Sequence, residues 1–251
     1  MNYTLYNADC LDILPTLDAG SVDAVICDPP YGTTACKWDS VIPFAPMWEG
    51  IRRVLKPRGA CVLFGSQPFT SALVMSNPKW FRYEWVWEKT NAVDFALANI
   101  RPRKLHENVV VFSENAHTYN PQMAKGVPYI DKPRKRTNAI HGSTMPNLGI
   151  VNDGTRFPSS VIKCSNPNSG SMDAAHPTQK PLALLEYLVK TYTNAGDTVL
   201  DFTMGSGTTG HACGNLDRRF IGIEKDEPYF KIAEERIATA YAPLRMMQAA
   251  V

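Results

Sequence analysis

From Thr198 onward the sequence runs TVLDF, MGSGTTG, TTGHACGNL, FIGIE (220–224) and PYFKIAEERIATAY. A short apolar strand, a glycine-rich turn, a helix, a second strand and a second helix make a βαβα series. Such a series requires parallel strands joined by right-handed crossovers, with helices covering the sheet. Just before it, PLALLEYLVKTY places Leu182, Leu185, Leu188 and Val189 on one helical face. The first 115 residues alternate in the same way. DAVIC and ACVLFG (60–65) read as buried strands, and PFAPMWEGIRRVL between them reads as a helix. FRYEWVWEK (81–89) and NVVVFS (108–113), rich in aromatic and β-branched residues, read as two more strands. The expected fold is α/β, with a mostly parallel twisted sheet and helices on both faces.

One strand ends unusually. In VDAVICDPPYG (22–32) an apolar run delivers Asp28, Pro29, Pro30 and Tyr31 together. Neither proline can donate a backbone hydrogen bond, so these residues alone are equally well read as a strand terminator. The glycine turn offers a second clue. Gly205 and Gly207 remove side chains where a ligand would approach the backbone, and free N–H groups open the next helix. About twenty residues on, Glu224 ends the following strand, where a carboxylate suits the two hydroxyls of a ribose. GSGTTG also satisfies G-x-G-x-x-G through Gly205, Gly207 and Gly210, so the loop alone leaves a dinucleotide reading open.

A dinucleotide does not explain Asp28–Tyr31. S-adenosylmethionine offers the same ribose and calls for a second site, for a methyl acceptor. An exocyclic amino group on a base is a poor nucleophile, because its lone pair is delocalised into the ring. Two acceptors on its N–H bonds would localise that pair. The Asp28 carboxylate and the Pro29 carbonyl supply them, held by two locked φ angles, and Tyr31 can stack on the base. A base reached in this way must leave its duplex.

At this point the chain resembles the N6-adenine/N4-cytosine DNA methyltransferase family, in the permuted order with the catalytic motif ahead of the cofactor loop. The similarity spans roughly residues 1–115 and 174–240. It implies a Rossmann-like S-adenosylmethionine-dependent methyltransferase fold whose sheet includes an antiparallel strand. DPPYG matches the catalytic motif, so the resemblance assigns Asp28, Pro29, Pro30 and Tyr31 to catalysis. NADCLDIL places Asp9 and Cys10 beside the cofactor adenine. HPTQKP places His176, Thr178, Gln179 and Lys180 by its methionine portion, with Asp28 nearby. DFTMGSGTTG contributes Asp201, Phe202, Thr203, Gly205, Ser206, Gly207, Thr208 and Thr209, and the next strand contributes Glu224 and Lys225. One departure stands out: the family commonly has proline after the first acid of this loop, and here Phe202 follows Asp201. The ring is expected over the cofactor, shifted by one position. DPPY is associated with adenine N6 and SPPY with cytosine N4. The expected activity is therefore adenine-N6 methylation of DNA, with cytosine-N4 methylation or a catalytically impaired DNA-binding module of the same fold as alternatives.

The net charge of +2 is small, but Lys and Arg crowd between Arg101 and Arg136, most densely in KPRKR (132–136). Lys132, Arg134, Lys135 and Arg136 are candidate phosphate contacts. Residues 116–175, rich in Asn, Pro, Ser and Gly, have little apolar periodicity. By the resemblance they form a variable, mobile target-recognition insert within a single catalytic domain, 1–251. Trp38, Ser66 and Gln67 are further candidates for the pocket. The six cysteines are scattered, without a CxxC pair, so no metal site and a reducing, cytoplasmic setting are expected. No apolar run is long enough to span a bilayer. Double-stranded DNA is the expected partner, and the resemblance adds a cognate restriction endonuclease and a homodimer.

Overall fold

The computed structural model describes residues 2–34, 36, 39–93, 95–133, 149–166 and 179–249, with side chains as far as Pro243. They divide into two compact units. One joins the residues up to Asn120 with those from Ser160, and the other is Pro121–Ser159. The polar composition of 116–175 does not mark where the larger unit resumes. Val161–Cys164 within that stretch is a strand of the larger unit, because its residues pair with β4 despite their polar flanks.

The larger unit begins with β1 (Tyr3–Tyr6), α1 (Cys10–Ile13), β2 (Val22–Cys27), α2 (Phe44–Val54), β3 (Leu55–Gly65) and α3 (Phe69–Ser76). Next come two long strands, β4 (Phe81–Val93) and β5 (Lys104–Phe112). The smaller unit holds two antiparallel ribbons. One is β6 (Ala124–Lys125) with β9 (Thr155–Arg156), and the other is β7 (Tyr129–Asp131) with β8 (Ile150–Asn152). The larger unit resumes with β10 (Val161–Cys164), α4 (Leu182–Tyr192), β11 (Thr198–Asp201), α5 (Thr208–Asn215), β12 (Arg219–Ile223) and α6 (Glu227–Ala249).

Its eight strands lie in the order β1-β12-β11-β2-β3-β5-β4-β10. Every pairing is parallel except those of β5, which runs against β3 and β4. The expected α/β architecture, with its antiparallel strand, is therefore present. Alternation along the strands explains the two-sided core. Ala24, Ile26, Ala60, Val62, Phe64, Val109 and Val111 face α4, α5 and α6. Val25, Cys27, Cys61, Leu63, Val110 and Phe112 face α1, α2 and α3. Strands buried on both sides read as continuous apolar runs, which is how β2 and β3 appear in the sequence. On α2, Met47, Trp48, Ile51 and Val54 supply the buried stripe.

This topology positions the site. The C-terminal ends of β2, β3, β4, β11 and β12 share one edge of the sheet with the start of β5, and β11 lies next to β2. Loops leaving adjacent parallel strands at such an edge form a crevice. No helix among the described residues is long and apolar enough to cross a membrane.

Candidate active site

Asp28 follows the last residue of β2 and faces the crevice, with its side chain 28% exposed. Oδ1 accepts a hydrogen bond from Tyr31 Oη at 2.5 Å. Oδ2 accepts one from Lys180 Nζ at 2.6 Å. The Lys180 side chain is only 8% exposed and lies 3.2 Å from Glu107 Oε2. Glu107 Oε1 in turn accepts from Lys89 Nζ at 2.5 Å. Lys180 Nζ also sits over the rings of Phe64 and Tyr31, and Lys89 over Trp87. Burial alone would raise the Glu107 carboxyl, but Lys180 and Lys89 outweigh it and hold that group at about 2. Burial would likewise lower the Lys180 ammonium, yet Asp28 and Glu107 leave it raised. The Tyr31 phenol is pushed well up by burial and by the Asp28 charge. Its ring stacks on Phe69 with centroids 5.2 Å apart.

The loop after Tyr31 is folded back on a single acid. The amides of Gly32, Thr33 and Thr34 donate to the Asp39 carboxylate at 2.8, 2.9 and 2.6 Å. Burial opposes ionisation of Asp39, but these bonds prevail and lower its carboxyl.

The other end of the crevice is built on main chain. Gly205 and Gly207 take φ of +52° and +78°, the left-handed region that glycine enters without strain. Gly207 caps α5, and a Cβ there would lie 2.9 Å from Ala233 Cβ. Glu224 closes the loop from the next strand end. Its Oε2 accepts from the Gly205 amide at 2.9 Å and its Oε1 from the Asp226 amide at 2.8 Å. Burial leads the causes that raise the Glu224 carboxyl. Arg236 on α6 braces the loop, donating to the Ser206 carbonyl at 2.5 Å and to Ser206 Oγ at 3.0 Å. Ser206 Oγ bonds Gln179 Oε1 at 3.1 Å. Thr203 ties the two ends together: its hydroxyl donates to the Asp28 carbonyl at 3.1 Å and lies 2.9 Å from Cys27 Sγ. Its amide donates to Asp201, whose carboxyl is raised to about 7, chiefly by burial.

Both ends open on one cavity of about 1340 Å³. Among the residues expected in the site, Asp9, Cys10, Asp28, Pro29, Pro30, Tyr31, Gln179, Lys180, Asp201, Phe202, Thr203, Gly205, Ser206, Thr208, Thr209, Glu224 and Lys225 line it, as do Ser66 and Gln67. Gly207 stands behind the loop, against α6. Phe202 reaches the cavity, but the residue is only 1% exposed and packs in the α1–α3 core. Asp9 caps α1 through the Leu11 amide, and burial leads the causes that push the Cys10 thiol up to about 12. His176, Thr178, Trp38, Arg134, Lys135 and Arg136 lie outside the described residues; Lys132 is described, in the smaller unit. Among the described residues, no three His, Cys, Asp or Glu side chains converge as metal ligands would. Sequence reasoning missed Lys89, Glu107, Asp39 and Arg236. Lys89 did leave a trace, since it follows Trp87 at strand spacing and therefore shares its face.

The N6/N4 methyltransferase family of DNA methylases matches this chain over residues 22–235. The Type II methyltransferase M.HpaI of Haemophilus parainfluenzae is 27% identical over 254 residues, covering 96% of this chain and 76% of that protein. Among solved structures, the M1.HpyAVI–SAM complex is 28% identical with a TM-score of 0.62, covering 94% of this chain and 98% of that one. PvuII DNA methyltransferase, cytosine-N4-specific, shares the fold at 18% identity and a TM-score of 0.67, covering 96% and 92%. The family match takes in both DPPYG and the glycine loop, whose two strands lie side by side in the sheet. This chain belongs to the N6/N4 family of DNA methylases.

Proposed function

We propose that the protein transfers a methyl group from S-adenosylmethionine to the N6 amino group of an adenine flipped out of double-stranded DNA. The observation that carries this reading is that Asp28 and Glu224 open on the same cavity. At about 1340 Å³ it exceeds the roughly 300–1,000 Å³ of a one-ligand pocket, which suits two occupants.

The residues present fit the cofactor. Each Glu224 oxygen accepts one backbone amide and keeps a lone pair for a ribose hydroxyl. Gly205 clears the approach to the loop, while Gln179, Ser206, Thr208 and Thr209 offer polar groups to an amino-acid moiety. Asp9, Cys10 and Lys225 flank the side suited to the adenine. Lys180 we assign to Asp28 rather than to the cofactor, because its ammonium lies between Asp28 and Glu107. S-adenosylmethionine, when bound, supplies an electrophilic methyl group on a sulfonium centre.

Asp28 and the Pro29 carbonyl act on the acceptor. Each takes one N–H of the base amino group, which draws the nitrogen lone pair out of the ring. Asp28 then receives the proton that the methylated nitrogen sheds. To stack on the base, Tyr31 exchanges its bond to Asp28 and its place against Phe69. Cytosine presents the same pair of N–H bonds at N4, so the preference for adenine rests on the aspartate that opens DPPY. Lys132 and its basic neighbours in sequence supply phosphate contacts to the DNA.

The test is to incubate the protein with unmethylated, sequence-diverse DNA and S-adenosylmethionine, digest to nucleosides and analyse them by mass spectrometry. N6-methyldeoxyadenosine is expected. Asp28→Ala should lower the yield roughly 100- to 1,000-fold, with cofactor affinity retained. Near-normal turnover by that variant would remove Asp28 from the chemistry. N4-methyldeoxycytidine would move the same mechanism to cytosine, and DNA binding without methylation would identify a binding module.

A further inference from the structure

Lys89, Glu107, Lys180 and Asp28 form a chain of alternating charge that runs from the sheet into the cavity. The first three side chains are 8%, 12% and 8% exposed. Buried ion pairs are a weak source of stability, since desolvation cancels much of the attraction. A well-packed apolar pair in place of Lys89 and Glu107 would hold β4 to β5 about as firmly. The chain of charges is better suited to aiming one carboxylate.

A terminal carboxylate torsion is broad, so an unanchored aspartate samples many orientations. Lys180 pins Asp28 through Oδ2 with a charge-assisted bond of 2.6 Å. Lys180 itself has a flexible stem and needs its own support. That support is the rings of Phe64 and Tyr31, at 5.2 and 5.7 Å, and Glu107 Oε2 at 3.2 Å. Glu107 Oε2 makes no aligned hydrogen bond among the described residues, so it acts on Lys180 through charge. Its other oxygen is held by Lys89 at 2.5 Å, and Lys89 lies 4.9 Å from the Trp87 ring centroid. Trp87 sits directly opposite Glu107 in the strand register. Each member is thus placed by the one behind it.

We propose that Glu107, backed by Lys89, is a positioning residue for methyl transfer: acting through Lys180, it fixes Asp28 Oδ2 and leaves Oδ1 as the oxygen presented to the substrate amino group. The inference rests on the catalytic reading of Asp28 given above. Oδ1 here accepts from the Tyr31 phenol at 2.5 Å. Releasing Lys180 would strand a buried ammonium, whereas the neutral phenol lets go at lower cost. The incoming N–H therefore replaces Tyr31 and meets a carboxylate of set direction. Such preorganisation lowers the barrier without tightening the binding of either substrate.

Two variants test this. Glu107→Asp keeps the charge but withdraws the carboxylate by one methylene. Lys89→Met/Glu107→Leu removes the ion pair and fills its space. In both, single-turnover methyl transfer at saturating DNA and S-adenosylmethionine should fall roughly 10- to 100-fold. Dissociation constants for both ligands should stay near wild type, and the double variant should melt no lower than wild type. Wild-type rates in both variants overturn the proposal. So does a loss of rate that tracks lost cofactor affinity or lost folded protein, since a merely structural pair would behave that way. Asp28→Asn, measured alongside, separates the two levels. An inactive Asp28→Asn with fully active Glu107 variants defeats the positioning role alone; an active Asp28→Asn defeats the catalytic reading beneath it.

Discussion

The Glu224 end of the cavity is made of main chain, and the Asp28 end of side chains. At the first, two glycines with positive φ turn the backbone, and Glu224 gathers the amides of Gly205 and Asp226. At the second, Asp28, Tyr31, Lys180, Glu107 and Lys89 make a line of contacts drawn from β4, β5, the end of β2 and the segment before α4. A main-chain site tolerates loss of a side-chain atom and fails when one is added. A side-chain site fails by deletion.

The largest effect expected at the main-chain end is therefore an addition. Gly207→Ala forces a Cβ into left-handed backbone and against Ala233 and Ile237, at 2.9 and 3.0 Å. Strain and overpacking together should destabilise the fold by about 3 kcal/mol. Thermal melting should show a clearly lowered midpoint, and the remaining folded protein should bind S-adenosylmethionine weakly. A variant with unchanged melting would mean that the loop bends without needing glycine, and the contrast between the two ends would break.

Deletion at the same end should cost less. Glu224→Gln keeps an oxygen for one amide and gives up the charge. Calorimetry should show cofactor affinity falling roughly 10-fold, the difference between a charge-assisted and a neutral hydrogen bond. The rate at saturating cofactor should be unchanged. A fall in that rate as large as the one expected for Asp28→Ala would place Glu224 in the chemistry and blur the distinction.

The same contrast governs what the sequence reveals. A main-chain site is local: strand, glycines, helix and spaced acid lie within 198–224, so the loop and Glu224 are readable in order. Asp28–Tyr31 is also local and gains meaning from its two prolines. Glu107 and Lys89 carry no such signal. Glu107 looks like an acid diluting a basic stretch, and only the β4–β5 register, with Trp87 opposite it, brings it to Lys180. Asp39 is similar, since nothing in GTTACKWD announces three amides converging on its last residue. Phe202 illustrates the opposite difficulty. Its place in the motif points to the cofactor, and in the fold it both lines the cavity and packs in the core. Composition is equally silent on where the main sheet resumes: β10 is four residues with polar flanks, yet it pairs with β4.

A further effect, read against pH, lies at the seam between the ends, where Thr203 bonds the Asp28 carbonyl and the Thr203 amide bonds Asp201. Burial raises the Asp201 carboxyl to about 7, against roughly 3.9 in an unfolded chain. Between those values the folded state holds a proton that the unfolded state has lost. This group's contribution to stability is therefore present in acid and fades as pH rises from about 4 towards 7. Asp201→Asn has no such proton to lose and retains an oxygen for the Thr203 amide. The variant should gain on wild type in melting temperature between pH 5 and pH 8 in the ligand-free protein. An equal difference at both values would mean that Asp201 is ionised in the fold. The seam would then carry a charge of its own, and the main-chain end could no longer be set apart from the charged end beside it.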